Sequence, residues 1–280
     1  MSEPIQKVLL VDYDGPLAKN LKLDSAAFER LACLAIEGFK IAVITGRTPA
    51  YMKEFMQAAE KSGIAGKIAL FCEHGCIECS FSRGKWIQKV LNTSFPHWKK
   101  ERATIKEALN NTVLPQGFQG ERSITIASLF FNSSDPSKVR QLQQTVALKV
   151  KEINLSGKTK TRLIAIPSRH GIEVLPEKAT KSHAAERFLE RIESPCAGFA
   201  FGDLFSDRLM ARDPRIKFVP TRNPKQFLEK TENLAKKLQA SAIERQRKMS
   251  RARLAQTQSL KKKAKKWTGK PGKPIQKRRL

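Results

Sequence analysis

The sequence predicts an α/β protein with a Rossmann-like parallel sheet as its core, an inserted α+β domain and a basic carboxyl-terminal tail. Three observations carry this prediction. Short aliphatic runs closed by turn residues alternate with helical patterns at the start and again near residue 200, as expected of a parallel sheet. Residues 80–176 interrupt this alternation. The last forty residues, 241–280, are dominated by lysine and arginine.

The first part of the chain follows a β-α-β-α-β pattern. Its first strand is the aliphatic run VLLV at 8–11, which is typical of a strand buried on both faces. A helix is predicted over 24–38, with Asp24 as its N-cap and Gly38 just beyond its end. A second strand in KIAVITGRTP, a helix from about 49 to 62 and a third strand in KIALFC follow. This order is that of a doubly wound parallel sheet.

Residues 80–176 have a different pattern, with polar faces typical of a small antiparallel α+β domain. The expected elements are a hairpin in ECSFSRGKWIQKV, helices over 97–111 and 136–153, and strands over 123–132, 162–166 and 171–175. A helix over 180–193 and strands at 198–202 and 217–219 then restore the first pattern. We therefore expect core segments 1–79 and 177–228, an inserted domain 80–176 and a tail 229–280.

Composition indicates a globular protein with a strongly basic end. The 280 residues are 40% hydrophobic, enough for a substantial core, and the net charge is +27. Residues 241–280 hold 15 basic residues and one acid, so we expect a helical, then disordered, tail that binds nucleic acid or another polyanion. The chain offers no signal peptide and no apolar run long enough for a bilayer, and its five cysteines are an odd number. These features predict a cytoplasmic protein with reduced thiols.

Polar residues follow the predicted strands of the core. They are Asp12, Asp14, Thr45, Asp203 and Asp207, with Lys181 at the start of a helix. Ligands of open α/β sheets bind at the carboxyl ends of the strands, so these side chains should share one crevice. Several acids in one crevice repel one another unless a cation is present, and hard oxygen ligands favour Mg²⁺. Mg²⁺ in such a crevice points to phosphate chemistry.

Four segments resemble, in order and spacing, the motifs of the haloacid dehalogenase superfamily of aspartate-dependent phosphatases. They are VDYDGPL, VITGR, Lys181 within EVLPEKATKS, and FGDLFSD, and they cover about residues 5–222. The insertion is similar to the C2-type cap of the Cof-type and sugar-phosphatase branch. Within that branch, EHG at 73–75 and ERS at 121–123 resemble trehalose-phosphate and sucrose-phosphate phosphatases.

The resemblance implies a chemical role for each matched residue. Asp12 would attack phosphorus and form a phosphoaspartate, while Asp14 would protonate the leaving alcohol and later activate water. The carboxylates of Asp12 and Asp203, with the backbone carbonyl of Asp14, would hold Mg²⁺. Lys181 would offset the charge of the phosphate.

The remaining matched residues would support the site. Thr45 and the backbone at Gly46 would hold phosphate oxygens, and Arg47 would bind substrate. Asp207 would orient Lys181 or a metal-bound water, and it counts with Asp12, Asp14 and Asp203 as a candidate metal residue. The implied function is Mg²⁺-dependent hydrolysis of a small phosphorylated metabolite, most simply a sugar phosphate.

Two features complicate this prediction. Pro16 stands where the superfamily usually has Thr or Val, and proline supplies no backbone N–H, so we expect an effect on rate. The basic tail suggests two alternatives, a polynucleotide-end phosphatase and a catalytically weak nucleic-acid-binding protein. An insertion that covers the crevice argues against a polymeric substrate. The CxxC at 76–79 argues little for zinc, because structural zinc sites usually join two separated ligand pairs.

Overall fold

A seven-stranded sheet forms the centre of the fold, seen here in a computed structural model that describes residues 5–91, 95–120, 128–168, 171–192, 195–232, 234 and 237. The strands, in spatial order, are β12 (Ile216–Pro220), β11 (Cys196–Gly202), β1 (Gln6–Val11), β4 (Lys40–Ile44), β5 (Ile68–Cys72), β6 (Ile77–Ser82) and β7 (Lys85–Val90). The first five run parallel, and β6 and β7 are antiparallel to their neighbours. Between β1 and β4 in the chain, β2 (Ala18–Lys19) and β3 (Lys22–Leu23) form a separate two-stranded antiparallel sheet. The predicted Rossmann-like α/β class is confirmed.

Helices cover both faces of this sheet. They are α1 (Ser25–Ile36), α2 (Lys53–Lys61), α5 (Lys181–Glu190), the single turn α6 (Phe205–Arg208) and α7 (Pro224–Thr231). Val8 and Leu10 of β1 lie in one apolar cluster with Phe188 of α5. On the other face, Phe201 of β11 packs edge-to-face on Phe227 of α7. The strand β1 is therefore buried on both sides, as its aliphatic run predicts.

Local sequence signals set several element ends. The Asp24 carboxylate accepts a hydrogen bond from the Ala27 N–H at 2.9 Å, so the predicted N-cap of α1 is confirmed. Gly38 follows that helix with φ +88°, a conformation that favours glycine. The helix expected from about residue 49 starts at Lys53 instead. The preceding residues form turns in which Tyr51 and Met52 donate to the carbonyls of Thr48 and Pro49.

The inserted α+β region forms a second layer pair. A three-stranded antiparallel sheet, in the order β8 (Leu129–Asn132), β10 (Gly171–Pro176), β9 (Leu163–Pro167), packs against α3 (Phe95–Val113) and α4 (Val139–Ser156). We call these five elements the cap. The predicted strand over 123–132 is observed from Leu129, and its earlier residues from 121 to 127 lie outside the described residues.

The hairpin of β6 and β7 differs from the sequence expectation. The sequence pattern places it in the inserted domain, but β6 pairs with β5 and the hairpin extends the large sheet. The reason is that Glu73–Gly75 forms a single tight turn, which returns the chain antiparallel to β5. The proposed domain limits at 79, 176 and 228 stay predictions. The part of the chain up to Glu232 clusters as one compact unit.

Two further expectations concern the carboxyl-terminal tail and membrane-spanning segments. The helix α7 is described from Pro224 to Thr231, and the basic residues 241–280 of the predicted tail lie outside the described residues. Within the part of the chain that is described, no helix is both long and apolar enough to cross a bilayer.

Candidate active site at the carboxyl edge of the large sheet

The predicted polar residues lie at the ends of three neighbouring strands, at one edge of the sheet. Asp12 follows β1, Thr45 follows β4 and Asp203 follows β11. Asp12 is held in register because its N–H donates to the carbonyl of Phe201 at 2.8 Å. The parallel alignment of β1 with β4 and β11 thus brings these side chains together, as the sequence predicts.

A buried lysine joins two of the acids. The Lys181 Nζ lies 2.8 Å from Asp12 Oδ1 and 2.7 Å from Asp207 Oδ1, and all three side chains are almost fully buried. Burial alone would lower the pKa of Lys181, but the two carboxylates outweigh it and raise that pKa above its usual value. Burial raises the pKa of Asp12 well above its usual range, with Asp207 adding to the effect and Lys181 opposing it. The cluster therefore holds a charged ammonium between two carboxylates that compete for it.

Asp207 organises the loop after β11. Its Oδ2 accepts hydrogen bonds from the backbone N–H groups of Asp203 at 2.9 Å and Leu204 at 2.8 Å. Gly202 makes room for this carboxylate, since a Cβ at Gly202 would lie 2.3 Å from the Asp207 Cβ. Both oxygens of Asp207 accept hydrogen bonds. This arrangement favours the predicted orientation of Lys181 over direct metal ligation.

Three carboxylates lie close enough to share a cation. One oxygen from each of Asp12, Asp203 and Asp207 lies within 4.8 Å of the other two. Asp203 is the exposed member, and burial of its carboxyl and the charge of Asp207 raise its pKa. Three carboxylates this close repel one another when ionised, and a divalent cation would offset that negative charge. The donor set, all carboxylate oxygen, fits Mg²⁺.

Asp14 is held by Arg47. The guanidinium donates from Nε to Asp14 Oδ2 at 2.9 Å and from Nη2 to Oδ1 at 3.0 Å, in the two-pronged geometry that arginine forms with carboxylates. The hydrogen bond to Asp14 raises the pKa of Arg47, although its partial burial acts against this. The guanidinium also stacks 5.5 Å from the ring centroid of Tyr51. Arg47 thus faces the crevice, but in this arrangement its partner is Asp14.

The loop after β4 is built for close packing. The Thr45 hydroxyl is buried and accepts from the Arg47 N–H at 3.1 Å. Gly46 lies against the imidazole of His74, where a Cβ would come within 2.9 Å of two ring atoms. The backbone N–H of His74 also donates a hydrogen bond to the Thr45 carbonyl at 2.9 Å. Thr45 and Gly46 are therefore fixed between β4 and the turn after β5.

Two residues that the sequence analysis did not assign connect this loop to the cap. The His74 Nε2 lies 2.9 Å from Oε1 of Glu173 on β10, and both groups are largely shielded from solvent. Sequence signals for both existed. Glu173 is the one acid in the apolar strand GIEVLP, and His74 lies in the EHG segment that carries the subfamily resemblance.

The chain matches no protein-family model and no curated protein sequence. Solved structures are similar. IMP-nucleotidase of Plasmodium falciparum superposes with a TM-score of 0.56 at 12% identity, over 80% of this chain and 67% of that chain. The trehalose-6-phosphate phosphatase C-terminal domain of C. albicans superposes with a TM-score of 0.53 at 19% identity, over 73% of this chain and 72% of that chain. The trehalose-6-phosphate phosphatase of Aspergillus fumigatus superposes with a TM-score of 0.51 at 20% identity, over 73% of this chain and 75% of that chain.

The chain has the fold of these phosphatases. The similarity extends over 73–80% of the chain, so the fold expected from the four sequence motifs is confirmed. At these identities the similarity establishes fold. The chemistry has to be argued from the residues at the carboxyl edge.

Proposed function

We propose that this protein hydrolyses a phosphate monoester of a small metabolite through a phosphoaspartate on Asp12. The observation that carries the proposal is the position of Asp12, a buried carboxylate at the end of β1, the middle one of the five parallel strands, with Lys181 at 2.8 Å. Within the described residues, Asp12 Oδ1 accepts from both Lys181 and the Tyr13 N–H, which leaves Oδ2 for attack on phosphorus. An anionic nucleophile next to a fixed ammonium suits attack on a phosphate dianion.

The covalent step follows from this arrangement. An oxygen of Asp12 forms a bond to phosphorus while the bond from phosphorus to the ester oxygen breaks, and the leaving alkoxide takes a proton from Asp14. Water then attacks phosphorus, gives its proton to Asp14 and releases phosphate, which restores the Asp12 carboxylate. Lys181, the Thr45 hydroxyl and the backbone N–H groups near Gly46 stabilise the charge on the phosphoryl oxygens.

Arg47 positions Asp14 in this proposal. The two-pronged pair holds the Asp14 carboxyl toward the crevice with both oxygens occupied, so a proton can be carried there only after Arg47 changes partner. A bound phosphate dianion is a suitable new partner, because guanidinium binds phosphate in the same planar geometry. Arrival of substrate would then release Asp14 for acid–base work.

A divalent cation completes the site. Asp12 and Asp203, with the backbone carbonyl of Asp14, are the proposed Mg²⁺ ligands, and Asp207 remains a candidate although both its oxygens accept hydrogen bonds. Bound Mg²⁺ supplies charge neutralisation for the phosphate and for the acids. The substrate is proposed to be a sugar phosphate, in line with the sequence resemblance and with the structural similarity to trehalose-6-phosphate phosphatases.

A second, separable activity is proposed for residues 241–280. Their 15 basic residues against one acid favour binding to nucleic acid or another polyanion through release of counterions. This proposal rests on the sequence alone.

The test of the catalytic proposal uses p-nitrophenyl phosphate and a panel of phosphorylated metabolites. Asp12→Asn, which keeps the shape and removes the nucleophilic charge, should lower kcat at least about a thousandfold. Removal of divalent cations by chelation should have the same effect on the wild-type protein, and Mg²⁺ should restore the rate better than Ca²⁺. The control is Asp213→Asn, since Asp213 precedes β12 at the opposite edge of the sheet and pairs with Arg215.

The outcome is read together with a folding check. Asp12→Asn should keep the far-ultraviolet circular dichroism of the wild type, because a neutral amide suits a buried position. A folded Asp12→Asn protein that retains most of its turnover would exclude Asp12 as nucleophile. Full activity after exhaustive chelation would exclude the metal.

A further inference from the structure

A cavity of about 480 Å³ opens at the edge of the large sheet where β4 and β5 begin. We call it the amino-edge cavity. The candidate active site lies at the other end of the same strands, and the chain from Lys40 to Thr45 alone spans about 16 Å. The two sites are therefore separate. Volumes of about 300–1,000 Å³ are typical of sites that bind small organic molecules.

The floor of the amino-edge cavity lies on the face of the sheet that α5 covers in part. Ala69 of β5 is partly buried and packs against the apolar cluster that contains Phe188 of α5, and both residues line the cavity. Ser80 of β6 lies beside Ala69, because the next residues along, Cys79 and Leu70, are opposite each other. Ser80 also lines the cavity and is exposed. The floor thus combines an apolar surface with an exposed hydroxyl.

The walls of the cavity leave space for a ligand. Gly38, in the turn between α1 and β4, and Gly66, just before β5, both line the cavity, and a Cβ at either position would meet no atom within 4 Å. Neither glycine is therefore packed against a neighbour. Ile36 at the end of α1 lines the same cavity and is 65% exposed. A bound molecule with an apolar body would cover this aliphatic side chain.

Two lysines lie side by side in the cavity lining. Lys40 begins β4 and Lys67 directly precedes β5, each one position before the opposed pair Ile41 and Ile68. Both lysines are exposed, and among the described residues neither takes part in an ion pair. Adjacent strands are about 4.8 Å apart, so both ammonium groups can reach one anion. Like charges in neighbouring positions repel each other, and a bound anion would relieve that repulsion.

The acid in the cavity lining does not offset these lysines. Glu78 of β6 is paired with Arg191 at the end of α5, whose Nη2 lies 2.7 Å from Oε2 and whose Nη1 contacts Oε1. The same guanidinium lies 5.9 Å from the ring centroid of Phe71. Because Arg191 neutralises Glu78, the charges of Lys40 and Lys67 remain, and the cavity favours a negatively charged ligand.

We propose that the amino-edge cavity binds an organic anion, with its acidic head group between Lys40 and Lys67 and its apolar body against Ala69, Phe188 and Ile36. The ammonium groups donate charge-assisted hydrogen bonds to a carboxylate, sulfonate or phosphate. The apolar body gains affinity because it removes exposed apolar surface from water. A neutral molecule lacks the first contribution and a bare inorganic anion lacks the second. This site is independent of the proposed phosphatase function.

The experiment titrates the full chain with 8-anilinonaphthalene-1-sulfonate, an apolar sulfonate whose fluorescence reports binding to apolar surface. Ser80→Phe places an aromatic ring on the floor of the cavity and should remove one component of the fluorescence. That component is the share of the cavity, which separates it from probe bound at other basic residues. Thermal unfolding checks the variant, and substitution of an exposed residue should leave the fold intact.

Lysine variants test the head-group contacts. Lys40→Ala combined with Lys67→Ala should raise the Kd of the cavity component at least about tenfold, since two charge-assisted contacts are lost. The matched control is Lys61→Ala, which removes an exposed lysine at the end of α2 outside the cavity lining. This control should leave the Kd unchanged.

Competition tests the chemical class of the ligand. Naphthalene-2-sulfonate, which has both a charged head and an apolar body, should displace the cavity component. The uncharged 2-naphthol keeps the rings and inorganic sulfate keeps the charge, so each should need an at least about tenfold higher concentration.

Three results would overturn the inference. Equal binding by Ser80→Phe and wild type would place the probe outside the cavity. A loss of affinity in Lys61→Ala as large as in the double lysine variant would reduce the effect to overall charge. Displacement by 2-naphthol or by sulfate at the same concentration as by naphthalene-2-sulfonate would exclude the combined recognition of charge and apolar body.

Discussion

The buried contact of Lys181 with Asp207 gives a quantitative prediction for Asp207→Asn. An amide has one acceptor oxygen in place of two. Its NH₂ group must face either the ammonium of Lys181 or the two N–H groups of Asp203 and Leu204, all of which are donors. The first orientation loses a charged hydrogen bond, worth about 1.5–3 kcal/mol, and the second loses two backbone bonds of about 1 kcal/mol each.

Two further effects limit this loss of stability. Lys181 keeps Asp12 as a partner, so the cost stays below the about 3–5 kcal/mol of a buried charge left alone. The substitution also removes the negative charge that raises the pKa values of Asp12 and Asp203. We expect a net loss of about 2–3 kcal/mol in the free energy of unfolding. For a unit of this size that corresponds to a fall in Tm of about 4–12 °C.

The assay is thermal unfolding of the full chain near neutral pH, followed by circular dichroism. Asp213→Asn, which alters a more exposed pair with Arg215, is the control and should cost about 1 kcal/mol or less. A double-mutant cycle that combines Asp207→Asn with Lys181→Met measures the interaction between the two side chains and gives a second readout. Once the lysine is gone, Asp207→Asn should recover stability, because it removes one of two unpaired buried carboxylates. A Tm for Asp207→Asn within about 2 °C of wild type, or additive losses in the cycle, would refute the reasoning.

Two other predictions concern the cap contact and the tail. Glu173→Gln should be less stable than wild type above pH 4.5, the ordinary pKa of the group, and this difference should vanish as the pH falls through the lowered pKa of Glu173. Urea unfolding of both proteins across acid pH measures it, and a difference independent of pH would contradict the assigned charge. Truncation after Ala240 should abolish salt-sensitive binding to nucleic acid, measured by fluorescence anisotropy, while kcat/KM for p-nitrophenyl phosphate stays unchanged. Equal binding by the truncated protein would exclude the tail as the binding element.

The sequence predicts those parts of the fold that depend on neighbouring residues. The Asp24 N-cap, the glycine after α1 and the aliphatic run of β1 are local signals, and each lies where expected. The meeting of Asp12, Thr45 and Asp203 at one edge also follows, because the carboxyl ends of parallel strands necessarily converge.

Partners chosen across long sequence distances could not be predicted in the same way. The pattern ECSFSRGKWIQKV indicates a hairpin but contains nothing that says which sheet it joins. The pairing of Arg47 with Asp14 depends on the reach and angle of a long side chain. The sequence predicts a strand that contains Glu173, but its partner His74 lies 99 positions earlier and meets it only after the cap folds back on the core.

The hairpin that extends the large sheet also determines how that sheet ends. β7 is the outermost strand on its side, and an outermost strand exposes N–H and C=O groups that another extended chain can pair with. Lys85 and Lys89 stand on this strand and are exposed, and Lys217 is exposed on β12 at the opposite end. A second copy approaching in register would bring these ammonium groups together. Electrostatic repulsion at both edge strands therefore disfavours edge-to-edge pairing between copies of the chain, and lysine at these positions contributes to solubility.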